Sequence, residues 1–425
     1  MATTIAKGVD ASVYARRYAD VRSFTERLCE PLATEDYVVQ SMEDVSPTKW
    51  HIAHTSWFFE TFILKPYQPD YVEANPAYAF LFNSYYTQVG ARHCRDRRGY
   101  LSRPTVAEVF AYRRHVDTAM QDLLESDDET LVGRLARLIE VGLHHEQQHQ
   151  ELILTDIKHV LSVNPLRPAY RTSDAVAVKL ATAQNWVEIP GGIHWIGHEG
   201  EGFSFDNERP QHRVFLEPFA LASRLVTNEE YLEFMDDGGY ARPELWLSLG
   251  WQAVEENGWS EPFYWEKKNG SWSVFTLGGM RPFDPAEPVV HLSYFEAEAF
   301  ARWAGARLPT EAEWEVSVAG ISRAGNFVET ELLQPAVAAD SERGGLQQVY
   351  GDVWEWTQSQ YLPYPGYRPP TGALGEYNGK FMCNQLVLRG GSCATPATHI
   401  RPTYRNFFPP DATWQFSGVR LARDA

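Results

Sequence analysis

The sequence predicts a multidomain α and α+β protein in which an α-helical bundle precedes an α+β domain. Its 425 residues suffice for two or three domains, and a hydrophobic content of 44% supplies material for separate cores. Residues 10–165 show long stretches of helical periodicity, whereas after Asn185 short apolar runs alternate with Gly, Pro and Asn. We therefore predict a four-helix bundle over residues 10–165, a linker over 166–185 and a second domain over 186–425.

Four periodic segments define the predicted bundle, and they cover residues 12–32, 46–64, 104–126 and 131–161. Ser46 fits the N-cap of the second helix, and Pro47 fits its first turn. Residues 70–103 are rich in Pro, Tyr and Arg and are predicted to form an irregular connection. In the second domain only residues 227–235 and 293–304 show helical periodicity, so much of that domain is predicted to be irregular.

The composition argues against several classes of partner. A formal charge of −18 does not suit a nucleic-acid surface. No apolar run has the length of a membrane span, and the first residues lack the apolar core of a signal peptide. The four cysteines show neither zinc-ribbon spacing nor the density of a disulfide framework. We therefore predict a cytoplasmic protein that binds neither nucleic acid nor membrane.

Two histidines on the fourth predicted helix are candidate metal ligands. His145 and His149 are four residues apart, so they project from nearly the same face of a helix. Neutral imidazole suits zinc, iron, copper and nickel. The HExxH string of residues 145–149 also matches a zinc-protease pattern with Glu146 as general base. Alternatively, paired histidines on a charged, Gln-rich helix lie on a solvated face.

A second histidine pair lies on the second predicted helix, at His51 and His54. Two helices of one bundle that each offer inward histidines can build a metal site in the bundle core. Three protein ligands would leave open positions for substrate and for dioxygen or water. The spacing of three residues does not by itself choose between His51 and His54.

The connection between the second and third helices contains further candidate residues. Arg92 and Arg95 belong to a cluster of four arginines in a net acidic chain, which favours recognition of a carboxylate. The alternative is a set of surface ion pairs with Asp96 and nearby acids. Tyr85 and Tyr86 offer a phenolic proton donor, although tyrosines also stack in cores.

Six motifs after residue 185 resemble one known fold. They are GGIHWIG at 191–197, LVTNEEY at 225–231, RLPTEAEWE at 307–315, GDVWEWT at 351–357, LRGGS at 388–392 and FSGVR at 416–420. This ordered series resembles the formylglycine-generating-enzyme (sulfatase-modifying factor) fold, which is related to C-type lectins. The N-terminal part resembles a DinB-type four-helix bundle. Together the two domains are similar to the iron-dependent sulfoxide synthases of ergothioneine biosynthesis, the EgtB family.

The resemblance implies a reaction and a metal centre. The implied enzyme joins a cysteine sulfur to the imidazole carbon between the two ring nitrogens of hercynine, the Nα-trimethyl betaine of histidine. Dioxygen is consumed and a sulfoxide results. The implied cofactor is Fe(2+), and its ligands fall on His54, His145 and His149. Gln148 matches a residue that hydrogen-bonds the hercynine imidazole.

The resemblance also implies substrate contacts, with one departure from the family pattern. Arg92 and Arg95 fall where the carboxylate of the sulfur donor is held, and Asn406 falls near the trimethylammonium end of hercynine. Some family members have Trp-Asp after that asparagine, whereas this chain has Phe407 and Phe408. Because the lost carboxylate would contact the ammonium of a γ-glutamyl group, free cysteine is the expected donor rather than γ-glutamylcysteine. Phe407 and Trp414 are expected to face the quaternary ammonium through cation–π contacts.

The catalytic tyrosine has no single candidate. In the best-known branch of the family it follows the Trp-Glu-Trp motif, and here Tyr361, Tyr364 and Tyr367 do so. Tyr85 and Tyr86 are the expected alternative because they lie close to the arginine cluster in the sequence. Other functions for the same architecture are a selenoneine- or ovothiol-type synthase, a zinc-dependent DinB-type hydrolase or thiol transferase, and a non-catalytic binding module.

Overall fold

The computed structural model describes residues 11–126, 128–172, 180–339 and 345–425. The chain divides into two compact units. The first unit comprises Met1–Asn164 together with Thr371–Tyr377, and the second comprises Pro165–Pro370 together with Asn378–Ala425. A short stretch from late in the sequence therefore belongs to the helical unit, which the sequence-based division did not anticipate. Residue 10 and, within the predicted linker, residues 173–179 lie outside the described residues.

Within its described residues, the first unit is built from the four long helices that the periodicity predicts. They are α1 Ala11–Cys29, α2 Thr48–Phe59, α3 Val106–Leu124 and α4 Glu129–Val163. α3 starts with a capping box, because Thr105 and Glu108 stand three residues apart. The Thr105 hydroxyl accepts a hydrogen bond from the backbone N–H of Glu108, and the Glu108 carboxylate accepts one from the backbone N–H of Thr105. Asp128 caps α4 by accepting a hydrogen bond from the backbone N–H of Leu131 at 2.9 Å.

The prediction that Ser46 caps the second helix is wrong. α2 begins at Thr48, Pro47 is its N-cap residue, and no side chain caps it. Ser46 is bound by tertiary contacts instead, because its backbone N–H donates to Asp156 Oδ2 at 2.8 Å and its hydroxyl accepts from Arg98 at 2.8 Å. A partner distant in sequence therefore replaces the local capping bond that the residue type favoured.

α2 is the central helix of the bundle, since all of its residues are buried. It packs against α3 and α4, and α1 packs against α4. The close approach of α2 and α4 depends on Gly142, where a Cβ atom would stand 2.6 Å from the ring of Phe59. α2 continues into a π-helical turn over Glu60–Leu64 and a short helix over Lys65–Tyr67.

The long connection between α2 and α3 is largely irregular, as predicted. It contains a single helical turn over Tyr78–Leu81 and a 3₁₀ segment over Arg95–Tyr100. Within the described residues, no helix is both long enough and apolar enough to cross a lipid bilayer.

The second unit contains small sheets and short helices. The strands are β1 Trp186–Ile189, β2 Gly192–Ile196, β3 His212–Leu216, β4 Phe219–Ala222, β5 Trp265–Lys268, β6 Ser271–Thr276, β7 Gly279–Pro282, β8 Trp354–Gln360, β9 Leu386–Arg389, β10 Asn406–Phe408, β11 Ser417–Gly418 and β12 Ala422–Asp424. Their sheet orders are β1-β4-β12, β10-β9-β8-β11, β2-β3 and β5-β6-β7. β4 pairs with β1 on one side and with β12 on the other, so the first and last strands of the second unit belong to the same sheet.

The prediction of only two helices in this unit is wrong. α5 Asn228–Asp236 and α7 Tyr294–Trp303 match the predicted pair, but α6 Ser248–Asn257 and α8 Glu311–Ser317 are also present. α6 buries only Gly250, Ala253 and Val254, so its apolar stripe is too weak to read from the sequence. α8 is only two turns long and owes its start to a capping box between Thr310 and Glu313.

The motifs of the second unit form a buried network of ion pairs. Arg420 makes a bidentate pair with Glu355 at 2.8 and 2.9 Å, and Trp314 Nε1 donates to the same carboxylate at 2.9 Å. Arg405 makes a second bidentate pair with Glu311 at 2.8 and 2.9 Å. Buried charges are tolerated when they are paired and hydrogen-bonded. These ion pairs therefore support the fold of the second unit.

Candidate metal centre

Three histidines meet in the core of the helical unit. His54 comes from α2, and His145 and His149 come from α4. One ring nitrogen of each lies within 4.8 Å of the other two, and the ring centroids are 4.7 to 4.9 Å apart. All three side chains are buried. The structure thus brings together the three residues that the resemblance implied as ligands.

The local sequence explains this convergence. His145 and His149 are one helical turn apart on the face of α4 that packs against the central helix. His54 is held between two tryptophans of its own helix, Trp50 at 4.6 Å and Trp57 at 5.4 Å, with nearly parallel rings. Trp50, His54 and Trp57 follow the spacing of one helical face, so α2 presents the imidazole in a fixed orientation.

Hydrogen bonds determine which nitrogens are available to a metal. His54 Nδ1 donates to the backbone carbonyl of Phe82 at 2.6 Å, so its Nε2 carries the lone pair in the neutral ring. His149 Nδ1 lies 2.8 Å from His51 Nδ1. His145 Nδ1 is buried without a hydrogen-bond partner in the part of the chain that the structure describes. An unpartnered buried nitrogen beside two oriented imidazoles is a donor set that fits a divalent transition metal.

The protonation states also fit metal binding. Burial lowers the pKa of His145 to about 3. Burial, and then the neighbouring His145, lower the pKa of both His54 and His149 well below the ordinary value for histidine. The three rings are therefore neutral at physiological pH, which is the state that ligates a metal.

Glu146 lies in a buried ion-pair cluster. Its carboxylate accepts hydrogen bonds from Arg22 at 2.8 Å, Arg113 at 2.7 Å and Thr25 at 2.7 Å. Burial alone would raise the pKa of Glu146, but Arg113 and Arg22 outweigh it and hold that pKa at about 2. A carboxylate engaged by two arginines is not placed to act as a general base, so the geometry does not favour the protease-like interpretation of HExxH.

A tyrosine that the sequence reasoning missed lies beside the histidines. Tyr377 is the last residue of the Thr371–Tyr377 stretch that belongs to the helical unit. Its hydroxyl donates a hydrogen bond to Gln148 Oε1, and its ring centroid is 5.7 Å from that of His145. Glu376 anchors the stretch by accepting hydrogen bonds from the backbone N–H groups of Thr87 at 3.0 Å and Gln88 at 2.9 Å.

No local pattern marks Tyr377, which explains why it was missed. The tyrosines that directly follow the Trp-Glu-Trp motif have other environments in the second unit. Tyr361 stacks on Phe407 at 4.1 Å, and the Tyr364 hydroxyl contacts Glu311 at 3.3 Å. Only the fold of the Thr371–Tyr377 stretch distinguishes Tyr377 from these residues.

Tyr85 and Tyr86 stack on each other at 4.6 Å. Tyr86 is fully buried against Trp57 at 5.6 Å, and burial raises its pKa well above the ordinary value for tyrosine. The ring of Tyr85 lies 6.4 Å from that of Tyr377. The structure thus places both residues near the candidate centre, and their catalytic role stays a prediction.

The arginine cluster divides into exposed and buried members. Arg92 and Arg95 are exposed, and Arg95 pairs with Asp44. Arg98, which the sequence analysis did not single out, is buried with its guanidinium 3.3 Å from the ring centroid of Trp50. Trp50 in turn stacks on His54, so Arg98 is linked to the three histidines through the indole ring of Trp50.

Asn406, Phe407 and Phe408 form β10 of the second unit. Asn406 Oδ1 accepts a hydrogen bond from the backbone N–H of Phe407 at 3.0 Å. Phe407 stacks on Tyr361, and Phe408 contacts the ring of Trp414 at 6.3 Å. Their predicted contacts with substrate stay predictions.

The fold and the site define a class of two-domain proteins in which a helical bundle with a three-histidine centre precedes a sheet-containing domain. Residues 17–153 match the DinB superfamily, and residues 172–342 and 326–425 match the sulfatase-modifying factor enzyme 1-like domain. These matches confirm the predicted fold class.

Curated relatives identify the family. The chain is 33% identical to the hercynine oxygenase of Mycolicibacterium smegmatis over 89% of this chain and 91% of that protein. It is also 33% identical to the hercynine oxygenase of Mycolicibacterium thermoresistibile, over 96% of this chain and 94% of that protein. The chain belongs to the hercynine oxygenase family. The formylglycine-generating enzyme of Streptomyces coelicolor is 28% identical over 61% of this chain and 95% of that protein.

Proposed function

We propose that this chain is an Fe(2+)-dependent sulfoxide synthase that couples the sulfur of cysteine to the imidazole C2 of hercynine with dioxygen. The observation that carries the proposal is the arrangement at the core of the helical unit. His54, His145 and His149 form a buried cluster, and the Tyr377 hydroxyl is hydrogen-bonded to Gln148 beside it. Membership of the hercynine oxygenase family supports the choice of substrate.

The three histidines would hold the metal. When bound, Fe(2+) supplies one-electron redox chemistry and open coordination positions. A zinc ion held by the same ligands would supply no redox chemistry. The side chains of the three histidines are buried, so little of each ring is open to solvent. Exclusion of water protects reactive species from side reactions.

The reaction balances without a further reductant. The hydrogens of the cysteine S–H and the imidazole C2–H leave with one oxygen atom as water, and the second oxygen atom remains on sulfur. The new bond joins sulfur to C2. One oxygen atom must therefore be protonated at the site, and we assign that role to the Tyr377 hydroxyl, whose ring centroid is 5.7 Å from that of His145.

Gln148 would orient both the tyrosine and the hercynine imidazole. Its Oε1 accepts the hydrogen bond of Tyr377, and its amide N–H groups are suitable donors to a ring nitrogen of a substrate imidazole. Asn406 and Phe407 are proposed to contact the trimethylammonium end. Arg92, Arg95 or the buried Arg98 is proposed to hold a substrate carboxylate.

Free cysteine is the proposed sulfur donor. Phe408 stands where some family members have an aspartate, and a phenyl ring offers no partner to the ammonium of a γ-glutamyl group. The burial of Glu146 among arginines also disfavours the alternative of a zinc-dependent hydrolase, which would need a base next to its metal-bound water.

A competition assay tests the proposal. Protein loaded anaerobically with Fe(2+) is given hercynine, oxygen and equimolar cysteine and γ-glutamylcysteine, and products are identified by mass spectrometry. The expected product is the cysteine–hercynine sulfoxide, with one oxygen molecule consumed per product. His149→Ala protein is the matched control and should form none. Unchanged hercynine with wild-type protein would contradict the proposal.

A further inference from the structure

We propose that Asp156 and His51 are positioning residues that fix the tautomer of His149, so that His149 presents its Nε2 lone pair to the metal. The inference rests on the metal centre of the proposed function and not on the identity of its substrates. It also gives a role to the histidine that the sequence analysis left without one.

The three residues form a continuous hydrogen-bonded chain. Asp156 Oδ2 is 2.9 Å from His51 Nε2, and His51 Nδ1 is 2.8 Å from His149 Nδ1. The side chains of His51 and Asp156 are only 3% and 4% exposed, so water does not compete for these bonds. Asp156 lies seven residues after His149 on the same face of α4, and His51 lies one turn before His54 on α2.

Only one arrangement of protons allows both hydrogen bonds between Asp156, His51 and His149 and leaves a lone pair on His149 for a metal. A carboxylate only accepts hydrogen bonds, so His51 Nε2 carries a proton and donates it to Asp156. The neutral His51 ring then has a lone pair on Nδ1, which accepts from His149 Nδ1–H. A neutral His149 with its proton on Nδ1 has its lone pair on Nε2. Asp156 thus determines the state of a ring two hydrogen bonds away.

Asp156 is itself held in place from two elements. The backbone N–H of Ser46 donates to the same Oδ2 at 2.8 Å, just before α2 begins. The hydroxyl of Thr155 lies 3.4 Å from Oδ1. The carboxylate therefore lies at the N-terminal end of the helix that carries His51 and His54, where the helix dipole favours negative charge. Outer-shell carboxylates of this kind orient ligating histidines and raise their basicity.

The experiment compares metal affinity in matched variants of the full chain. Cobalt(II) is titrated anaerobically, and its visible d–d absorption reports both affinity and ligand geometry. Asp156→Leu removes the acceptor, and we expect a loss of affinity of about 10- to 100-fold with an altered spectrum. Asp156→Asn retains an acceptor oxygen and should lose less.

Glu60→Leu is the matched control. Glu60 is a buried carboxylate of the same unit that accepts hydrogen bonds from Tyr71 at 2.7 Å and Tyr112 at 2.6 Å. Its removal should lower stability without changing cobalt affinity. An equal loss of affinity in Glu60→Leu and Asp156→Leu would overturn the inference, because the effect would then be general destabilisation.

A second pair of variants keeps the test decisive if Asp156→Leu does not fold. His51→Asn retains an acceptor close to the position of Nδ1, whereas His51→Leu does not. Cobalt should bind His51→Asn more tightly than His51→Leu by about tenfold. If both variants bound cobalt as tightly as the wild-type protein, the proposed role of the Asp156–His51–His149 hydrogen bonds would be refuted. If the wild-type protein binds no cobalt, the proposed metal centre is refuted. If the wild-type protein and its variants bind cobalt with equal affinity, only the positioning role of Asp156 and His51 is refuted.

Discussion

The Tyr377 hydroxyl donates a hydrogen bond to Gln148, and the two residues are 229 positions apart in the sequence. Gln148 immediately precedes His149 on α4, so this bond brings a phenol to the edge of the three-histidine cluster. The contact exists because Thr371–Tyr377 belongs to the helical unit and not to the unit that surrounds it in sequence.

Tyr377→Phe should divert the reaction from carbon–sulfur coupling to oxidation of cysteine to its sulfinate, because the proton donor is lost while the ring remains. The measurement is the ratio of the two products by mass spectrometry. Tyr85→Phe is the matched control, since Tyr85 neighbours Tyr377. A diverted product ratio in Tyr85→Phe or Tyr86→Phe alone would instead support the sequence-based prediction for those residues.

His54→Ala should abolish stoichiometric Fe(2+) binding, whereas His51→Ala should weaken it without abolishing it. His54 is expected to contribute a ligand atom, while His51 contacts the metal only through His149. Metal content after anaerobic loading and desalting measures the difference. Equal loss of bound iron in the two variants would contradict this assignment of ligands.

Glu146→Gln should destabilise the protein strongly. The substitution leaves Arg22 and Arg113 buried without their shared carboxylate, and breaking a buried ion pair costs about 3–5 kcal/mol. Urea unfolding measures the loss. A general base would behave differently, with kcat falling by orders of magnitude while the free energy of unfolding stayed unchanged.

Arg98→Met should raise the KM of one carboxylate-bearing substrate, because its guanidinium packs on Trp50, whose ring stacks on His54. Arg95→Met is the comparison, since Arg95 is exposed and pairs with Asp44. Steady-state kinetics with each substrate varied in turn separates the two. A larger KM effect in Arg95→Met would favour the sequence-based prediction that Arg92 and Arg95 hold the carboxylate.

Cysteine should exceed γ-glutamylcysteine as sulfur donor in kcat/KM. Phe408→Asp restores a carboxylate and should narrow or reverse that preference by providing a partner for the γ-glutamyl ammonium. Competition between the two donors, with products quantified by mass, measures the ratio for both proteins. A wild-type preference for γ-glutamylcysteine would contradict the argument from Phe408.

Local patterns in the sequence predict part of the fold and part of the candidate site. The period of 3.6 residues predicts all four long helices, and the spacing of His145 and His149 predicts that they share a face of α4. The capping box at Thr105 is likewise a local signal. Ser46 shows the limit of such signals, because its hydrogen bonds go to Asp156 and Arg98 rather than to its own helix.

The sequence by itself determined the two-part architecture, the family resemblance and the pairing of histidines along each helix, because helical periodicity and ordered motifs are properties of neighbouring residues. Only the tertiary structure decided that Tyr377 reaches Gln148, that Glu146 forms ion pairs with Arg22 and Arg113, and that His51 is hydrogen-bonded to Asp156 and His149. Those relationships depend on which helix faces pack together, and packing joins side chains whose separation along the chain carries no signal.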